Sequence, residues 1–499
     1  MKARVLLLVI GAVLVAGGPW QASASPVSDE VRITTASPEA RTEYTRAITL
    51  IFNVRLDEAR ATLTRATAID PDFAMAHYLL AVLAPSEEAA MTHIAAAMAL
   101  TGKITDGERL LIEAHHALIT DNVTRSEELT RNVVVMHPGD VWARLTLGTL
   151  FYATHRNEEA ITEFENTLSI QPGCPPALNL LGYANMALGR HEAAEAAFKR
   201  YIEAVPQEPN PYDSYAEFLM KLGRFDESIR MYEKALALDR NFHSATVGIA
   251  NDLILQGHPA AARLRFQTLY ENAGTTEWKR TALSGLIRAY VSEGKFERAI
   301  AEARRRRDIS LREKNAVAAA ADLNLIGTLL LASGSADPRS GVYLKARTVD
   351  ARRTNQVRAT MHDAYRTLDG AAVPDAAKNA TRLALLRTEI ESAVQENDLT
   401  TARRKADEHR VMASHSGDPR ALQDAATIRA MIAIAEKRYT DALDDLQHAD
   451  LSNARTLFRL MEVHEAMGNT TEARSVQRRI LALNDGSLEL AMVRRWVAE

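Results

Sequence analysis

The sequence predicts an all-α protein built from stacked helical hairpins, and three observations carry that expectation. Small and ring-bearing residues recur at a fixed spacing in the middle of the chain. Within each copy the apolar positions fall at i, i+3, i+4 and i+7, which is one stripe of a helix. No segment alternates with period two between hairpin turns, as a half-buried strand would. A fixed internal period of about 34 residues marks an array of supersecondary units rather than one globule.

The unit can be read from its side chains. Gly148, Ala160, Phe164 and Pro172 are followed one period on by Gly182, Ala194, Phe198 and Pro206. The next two copies are Ala216, Ser228, Tyr232 and Arg240, then Ala250, Ala262, Phe266 and Gly274. In the second copy Leu178, Leu181, Gly182 and Asn185 stripe a first helix, and Gly189-Arg190 interrupts it as glycine does past a helix end. Ala193, Ala194, Ala197, Phe198 and Tyr201 stripe a second helix, which Pro206 stops. Gly182 and Ala194 are small where two helices are expected to cross, and a bulky replacement there would cost ~1–3 kcal/mol of overpacking.

Leu147-Gly148, Phe151, Ala160, Phe164 and Pro172, and again Leu181-Gly182, Ala194, Phe198 and Pro206, resemble the tetratricopeptide repeat (TPR). This family's unit is a 34-residue helix–turn–helix. The resemblance covers most of residues 38–485, closely over 140–305 and loosely elsewhere. It implies a right-handed superhelix of about a dozen helix pairs, in which the first helix of each pair lines an inner groove that receives partner peptides or domains.

Taken in chain order, residues 1–24 have the pattern of a secretory signal peptide. Lys2 and Arg4 precede an apolar run from Val5 to Gly18, and Ala22-Ser23-Ala24 places cleavage after Ala24. The run is shorter than the ~20 residues a spanning helix needs, and an uncleaved membrane anchor is the alternative to cleavage. The sole cysteine, Cys174, is far from that point, so a lipoprotein is excluded and a periplasmic or secreted product is expected. Residues 25–37 are expected as a flexible mature N-terminus and 38–310 as a regular repeat array. Residues 74–102 form a shortened pair there, because Pro85-Ser86 starts a second helix early. Spacing widens after Arg307, so 311–485 are expected as degenerate repeats, with 350–395 as one additional pair. Residues 486–499 are expected as a capping helix, since terminal repeats need one solvated face. No later stretch is expected to approach a transmembrane run, and no stable span is expected after cleavage.

Composition and motifs exclude most chemistry. Lys plus Arg total 60 and Asp plus Glu 64, a formal charge of −4, and such a balance provides no basic excess for nucleic acid. Hydrophobic residues at 47% and charged residues at 25% exclude a disordered or multi-span chain. One cysteine permits no intrachain disulfide and no CxxC metal site. Gly294-Lys295 and Gly102-Lys103 are followed by Phe296 and Ile104 rather than the Ser or Thr of a phosphate-binding loop. His464-Glu465 and His191-Glu192 lack the second histidine of a zinc-protease helix. His77 and His93 are the pair that folding could bring together. The basic run Arg304–Arg307 falls near a helix end, where it suits the dipole. No catalytic, cofactor-binding or metal-ligating residues are assigned, and no cofactor is expected.

Partner contact is expected instead on the first helices. By i, i+4, i+7 spacing the shared faces are Leu145, Thr149 and Tyr152; Asn179, Tyr183 and Met186; Asp213, Glu217 and Met220; Val247, Asn251 and Ile254; and Ser284, Arg288 and Val291. Mixed aromatic, polar and methionine faces suit recognition. The candidate groove residues are therefore Tyr152, Asn179, Tyr183, Met186, Asp213, Glu217, Asn251 and Arg288. Relatives that clamp a C-terminal carboxylate use Lys, Asn and Arg on these helices, and Asp213 and Glu217 would repel such a group. The expected role is a non-enzymatic scaffold for a protein or peptide partner in the cell envelope; the alternative is a subunit that recognises a glycan or small molecule.

Overall fold

The computed structural model describes residues 30–52, 55–84, 87–334 and 351–497. The expected signal peptide and its cleavage at Ala24 lie outside the described residues. Among the described residues there are twenty-five α-helices and no strand. They follow one another as hairpins: α1 (Pro38–Phe52) with α2 (Leu56–Ile69), α3 (Ala74–Val82) with α4 (Glu87–Ala99), and α5 (Asp106–Ile119) with α6 (Val123–Met136). Then come α7 (Val141–Ala153) with α8 (Asn157–Ile170), α9 (Pro175–Ala187) with α10 (His191–Ala204), and α11 (Asn210–Lys221) followed by α12 (Phe225–Leu238).

The second half continues with α13 (His243–Leu255) and α14 (Pro259–Asn272), α15 (Thr276–Ser292) and α16 (Phe296–Arg312), then α17 (Ala316–Gly334) and α18 (Ala351–Asp369). The last pairs are α19 (Asp375–Gln395) with α20 (Leu399–Ser416), α21 (Pro419–Ala435) with α22 (Tyr439–Leu446), and α23 (Ala454–Ala466) with α24 (Thr470–Ala482). A single helix, α25 (Leu488–Val497), follows. The paired solenoid agrees with the predicted fold class.

One backbone feature sets the period. The turn after a first helix holds a residue with positive φ at Asp121, His155, Gly189, Gly223 and Gly257, each one period after the last. A left-handed residue there ends the helix and reverses the chain within three or four residues. The reversal brings the second helix back against the first, where Gly148 and Gly182 let a ring approach. A Cβ on Gly148 would stand 2.6 Å from the Phe164 ring, and one on Gly182 2.6 Å from Phe198. Both rings are fully buried, each stabilising its pair by ~1.5–3 kcal/mol.

By internal contacts the chain forms two compact units. One comprises the residues up to Phe218 together with Arg230–Phe242; the other comprises Leu219–Ile229 and the residues from His243 onward. In the first unit, residues 30–37 of the stretch expected to be flexible are held in place; residues 25–29 lie outside the described residues. Val31 N–H donates to Asp140 Oδ2 (2.9 Å), and Thr34 donates through N–H and Oγ1 to the fully buried Glu108 (2.6 and 2.7 Å). Asp140 also caps α7 through the Ala143 N–H, and Glu108 completes a capping box with Thr105 on α5. The described part of that stretch is thus anchored by two carboxylates that also start helices.

The second unit departs from the expected order in three places. Residues 350–395 do not form a pair of their own, because α18 packs mainly on α17 and α19 mainly on α20. Helix α17 is long and apolar enough to cross a membrane by length and composition, which corrects the expectation that no later stretch approaches one. Here it is a core helix: Leu329 is fully buried, and the fully buried Asp322 is ion-paired to Arg280 and Arg306. Finally, α25 does not only cover the last pair. Its Leu490, Val493 and Val497 pack with Leu457 and Ile480 of α23 and α24, while Ala491 and Met492 pack with Ile287 and Val291 of α15. An array whose units touch only their neighbours would not make that second contact.

Candidate functional site

In the first unit, α7, α9 and α11 present the predicted faces in succession. Prolines 175 and 176 open α9 at positions where a missing N–H costs nothing, which fixes the register of its exposed face. Leu145 and Thr149 prove buried on α7 and Asn179 on α9, so they pack rather than face outward. Tyr152, Tyr183, Met186, Asp213 and Glu217 are half-buried.

Several of these residues converge. Tyr183 donates its hydroxyl to Glu217 Oε2 at 2.9 Å, joining positions 34 residues apart. Its ring stands edge-on to Phe198, with centroids 5.2 Å apart. Burial, and then the Glu217 charge, raise the Tyr152 phenol to about 12. Asp213 lies one turn before Glu217; its Oδ1 is shut off from solvent without a hydrogen-bond partner. Burial first, and Glu217 second, push its carboxyl up to about 8. The result is a surface of tyrosines around the Glu217 charge, with Asp213 protonated beside it at neutral pH. It offers hydrogen bonds and negative charge to a cationic group.

In the second unit the corresponding faces belong to α13 and α15. Arg288 donates through Nη2 to Asn251 Oδ1 at 3.0 Å, so these two predicted residues also meet. Ser284 is taken up by Arg306 (2.7 Å), and Val291 is buried. Arg306 thus turns inward, Arg305 lies over the Tyr270 ring, and Arg307 pairs with Asp308, so much of the expected basic run serves internal contacts.

Sequence reasoning missed that this face is covered by the chain's own tail. A Cβ on Gly486 would meet Asn251 Nδ2 at 2.8 Å, Asn484 donates to the Lys221 carbonyl at 3.2 Å, and Arg495 lies against the Gly294 turn. The only hint in the sequence is that SLELAMVRRWV has apolar residues on two sides of a helix, more than a cap over one neighbour requires.

Conventional catalytic features are few among the described residues. His77 and His93 come together, with ring centroids 6.2 Å apart, but no group of three His, Cys, Asp or Glu among the described residues is placed to hold a metal. Cys174 is buried at the start of α9, and burial pushes its thiol up to about 12, far from a nucleophile's range.

Comparison with known proteins agrees with the hairpin geometry. Family models described as tetratricopeptide repeat match residues 145–209 and 210–242. The DnaJ homolog subfamily C member 7 homolog of Schizosaccharomyces pombe is 23% identical over 149 residues, 27% of this chain and 31% of that protein. The chain therefore spans about a third of this curated relative's length. A tetratricopeptide repeat protein of Parabacteroides merdae is similar over 51% of this chain and 99% of its own, at 16% identity and a TM-score of 0.36. A thermophilic TPR protein from Thermus thermophilus covers 43% of this chain and 99% of its own, at 20% identity and a TM-score of 0.30. Repeats of this kind generally mediate protein–protein interaction and are generally non-catalytic. Residues 145–242 are thus matched as tetratricopeptide repeats, and consecutive helix pairs of the same kind continue on either side of them.

Proposed function

We propose that the protein is a non-enzymatic scaffold of the cell envelope that docks a basic segment of a partner protein on the first-helix face of its first unit. One observation supports this above all: Tyr152, Tyr183, Asp213 and Glu217, from three successive first helices, form one half-exposed acidic and aromatic surface. Tyrosine supplies large contact area at low entropic cost, and a carboxylate beside it selects Lys or Arg. The expected signal peptide supports an envelope location.

The test is direct binding of a lysine-rich peptide, with a glutamate-rich one as control, measured by fluorescence anisotropy. The lysine-rich peptide is expected to bind, and Tyr183→Ala combined with Glu217→Gln to weaken it at least tenfold with unchanged far-UV circular dichroism. Equal binding of both peptides, or no change in the variant, would remove this face from the function. The second reading, recognition of a small ligand, is favoured by a cavity in the second unit.

A further inference from the structure

Where the tail crosses α13 and α15 it leaves a cavity of about 280 Å³. That is the space of roughly nine water molecules, just below the range of drug-sized sites. Ile254, Leu255 and Leu490 form apolar wall, and Arg288, Arg494 and Arg495 supply positive charge. Asp485 is the one acidic residue in the lining, and its Oδ1 accepts the Ser487 N–H at 2.9 Å.

Two of the arginines are incompletely satisfied. Arg288 places Nη2 on Asn251, but its Nε is closed off from solvent with no hydrogen-bond partner. Arg494 Nη1 is in the same condition. Burial, and then Arg306, pull the Arg288 guanidinium down to about 10 against the opposing charge of Asp485, and burial lowers Arg494 as well. A guanidinium stays charged at neutral pH even so, and a buried charged donor without an acceptor is costly. Both side chains line one cavity, so a single anion there would neutralise the two guanidinium groups together.

We propose that this cavity binds a small organic anion, a carboxylate carried on a short apolar body. The carboxylate pairs with the guanidinium groups of Arg288 and Arg494, and the body lies along Ile254, Leu255 and Leu490. Arg288 belongs to α15 and Arg494 to α25, so the ligand ties the tail to the array. The inference uses none of the residues of the docking face proposed above and stands or falls separately.

The probe is hexanoate, titrated into the full mature chain by calorimetry and thermal denaturation, with hexanamide, acetate and inorganic phosphate alongside. Hexanoate is expected to bind saturably, to raise the Tm, and to bind at least tenfold more tightly than the other three. Arg494→Gln and Arg288→Gln are each expected to weaken it at least tenfold with helical content intact, and Arg494→Lys to recover part of the loss. Arg494 is the safer variant, because Arg288 also supports Asn251. The proposal is overturned if hexanoate does not bind saturably, if both glutamine variants bind it unchanged, or if phosphate binds as tightly. It is also overturned if a peptide binds through its free C-terminal carboxylate where hexanoate does not.

Discussion

The same repeat positions lead to opposite outcomes in the two units. On α9 and α11, Tyr183 and Glu217 hold each other by one hydrogen bond and remain half-exposed. On α13 and α15, Asn251 and Arg288 are joined in the same way, 37 residues apart, and are then covered by Asp485–Arg495. The periodic code sets which residues share a face. Whether that face is free to receive a partner depends on a segment about two hundred residues away in sequence, to which the code does not refer. The first unit's face is acidic and tyrosine-bearing, whereas the second's is basic and roofed.

Removing the roof is the largest way to break this contrast. A chain ending at Asn484 loses Leu490, Met492, Val493 and Val497, all buried against α15, α23 and α24. At ~1.5–3 kcal/mol for each buried side chain, the loss is on the order of 5 kcal/mol after allowing for residual burial in the unfolded chain. Hydrogen exchange is expected to accelerate in α13, α15 and α23 while α7 and α9 keep their protection. Uniform acceleration over the whole chain would show that the tail is not specific to the second unit.

A smaller effect is expected from the packing that generates the period. Gly182→Leu forces a side chain into the Phe198 ring, which lies 2.6 Å from where even a Cβ would sit. It is expected to destabilise the first unit by ~1–3 kcal/mol, read as a shift of the denaturant midpoint. A midpoint within error of the parent would place the helix crossing elsewhere. The second unit uses the same device in a different register. Its Gly285, on α15, meets the Phe266 ring of the preceding pair, whereas Gly148 and Gly182 each meet a ring of their own pair.

That register change shows what was legible in the sequence and what was not. Gly148 with Phe164 and Gly182 with Phe198 could be read because stacking neighbours repeat the same contact once per period. Tyr183 with Glu217 was legible on one shared face for the same reason. Thr34 on Glu108 and Val31 on Asp140 were not, because a short extended segment has no period and its two hydrogen-bond acceptors lie 74 and 109 residues away. The split of α18 and α19 between two pairs was hidden where the spacing widens, because Gly370 and Pro374 mark a turn there without telling which helices pair across it. The docking of α25 depends on the fit of Met492 to Ile287 and Val291, a shape relation that residue type alone does not encode.

The smallest expected effect separates the two units by pH. Asp213 keeps its proton up to about pH 8 in the folded chain, against an ordinary value of 3.8. Between these limits the unfolded chain binds fewer protons than the folded one, so stability falls as pH rises through that window and is flat on either side. Asp252 in the second unit is fully buried; burial raises it to about 7 against the opposing pull of Ser228, and it adds a slope of the same sign that ends one unit earlier. Asn is uncharged throughout, so Asp213→Asn is expected to flatten the stability profile up to about pH 8, and Asp252→Asn only up to about pH 7. Urea midpoints at pH 5, 7 and 8.5 resolve the two. Because Asp213 is half-exposed, solvent screening keeps its share below the effects of the tail and the glycine. The diagnostic interval is pH 5 to 8.5, over which Asp213→Asn removes the first unit's share of the slope and Asp252→Asn the second's. A profile in Asp213→Asn parallel to the parent across that interval would mean that the carboxyl facing the docking surface is already ionised, and the surface more acidic than its burial implies.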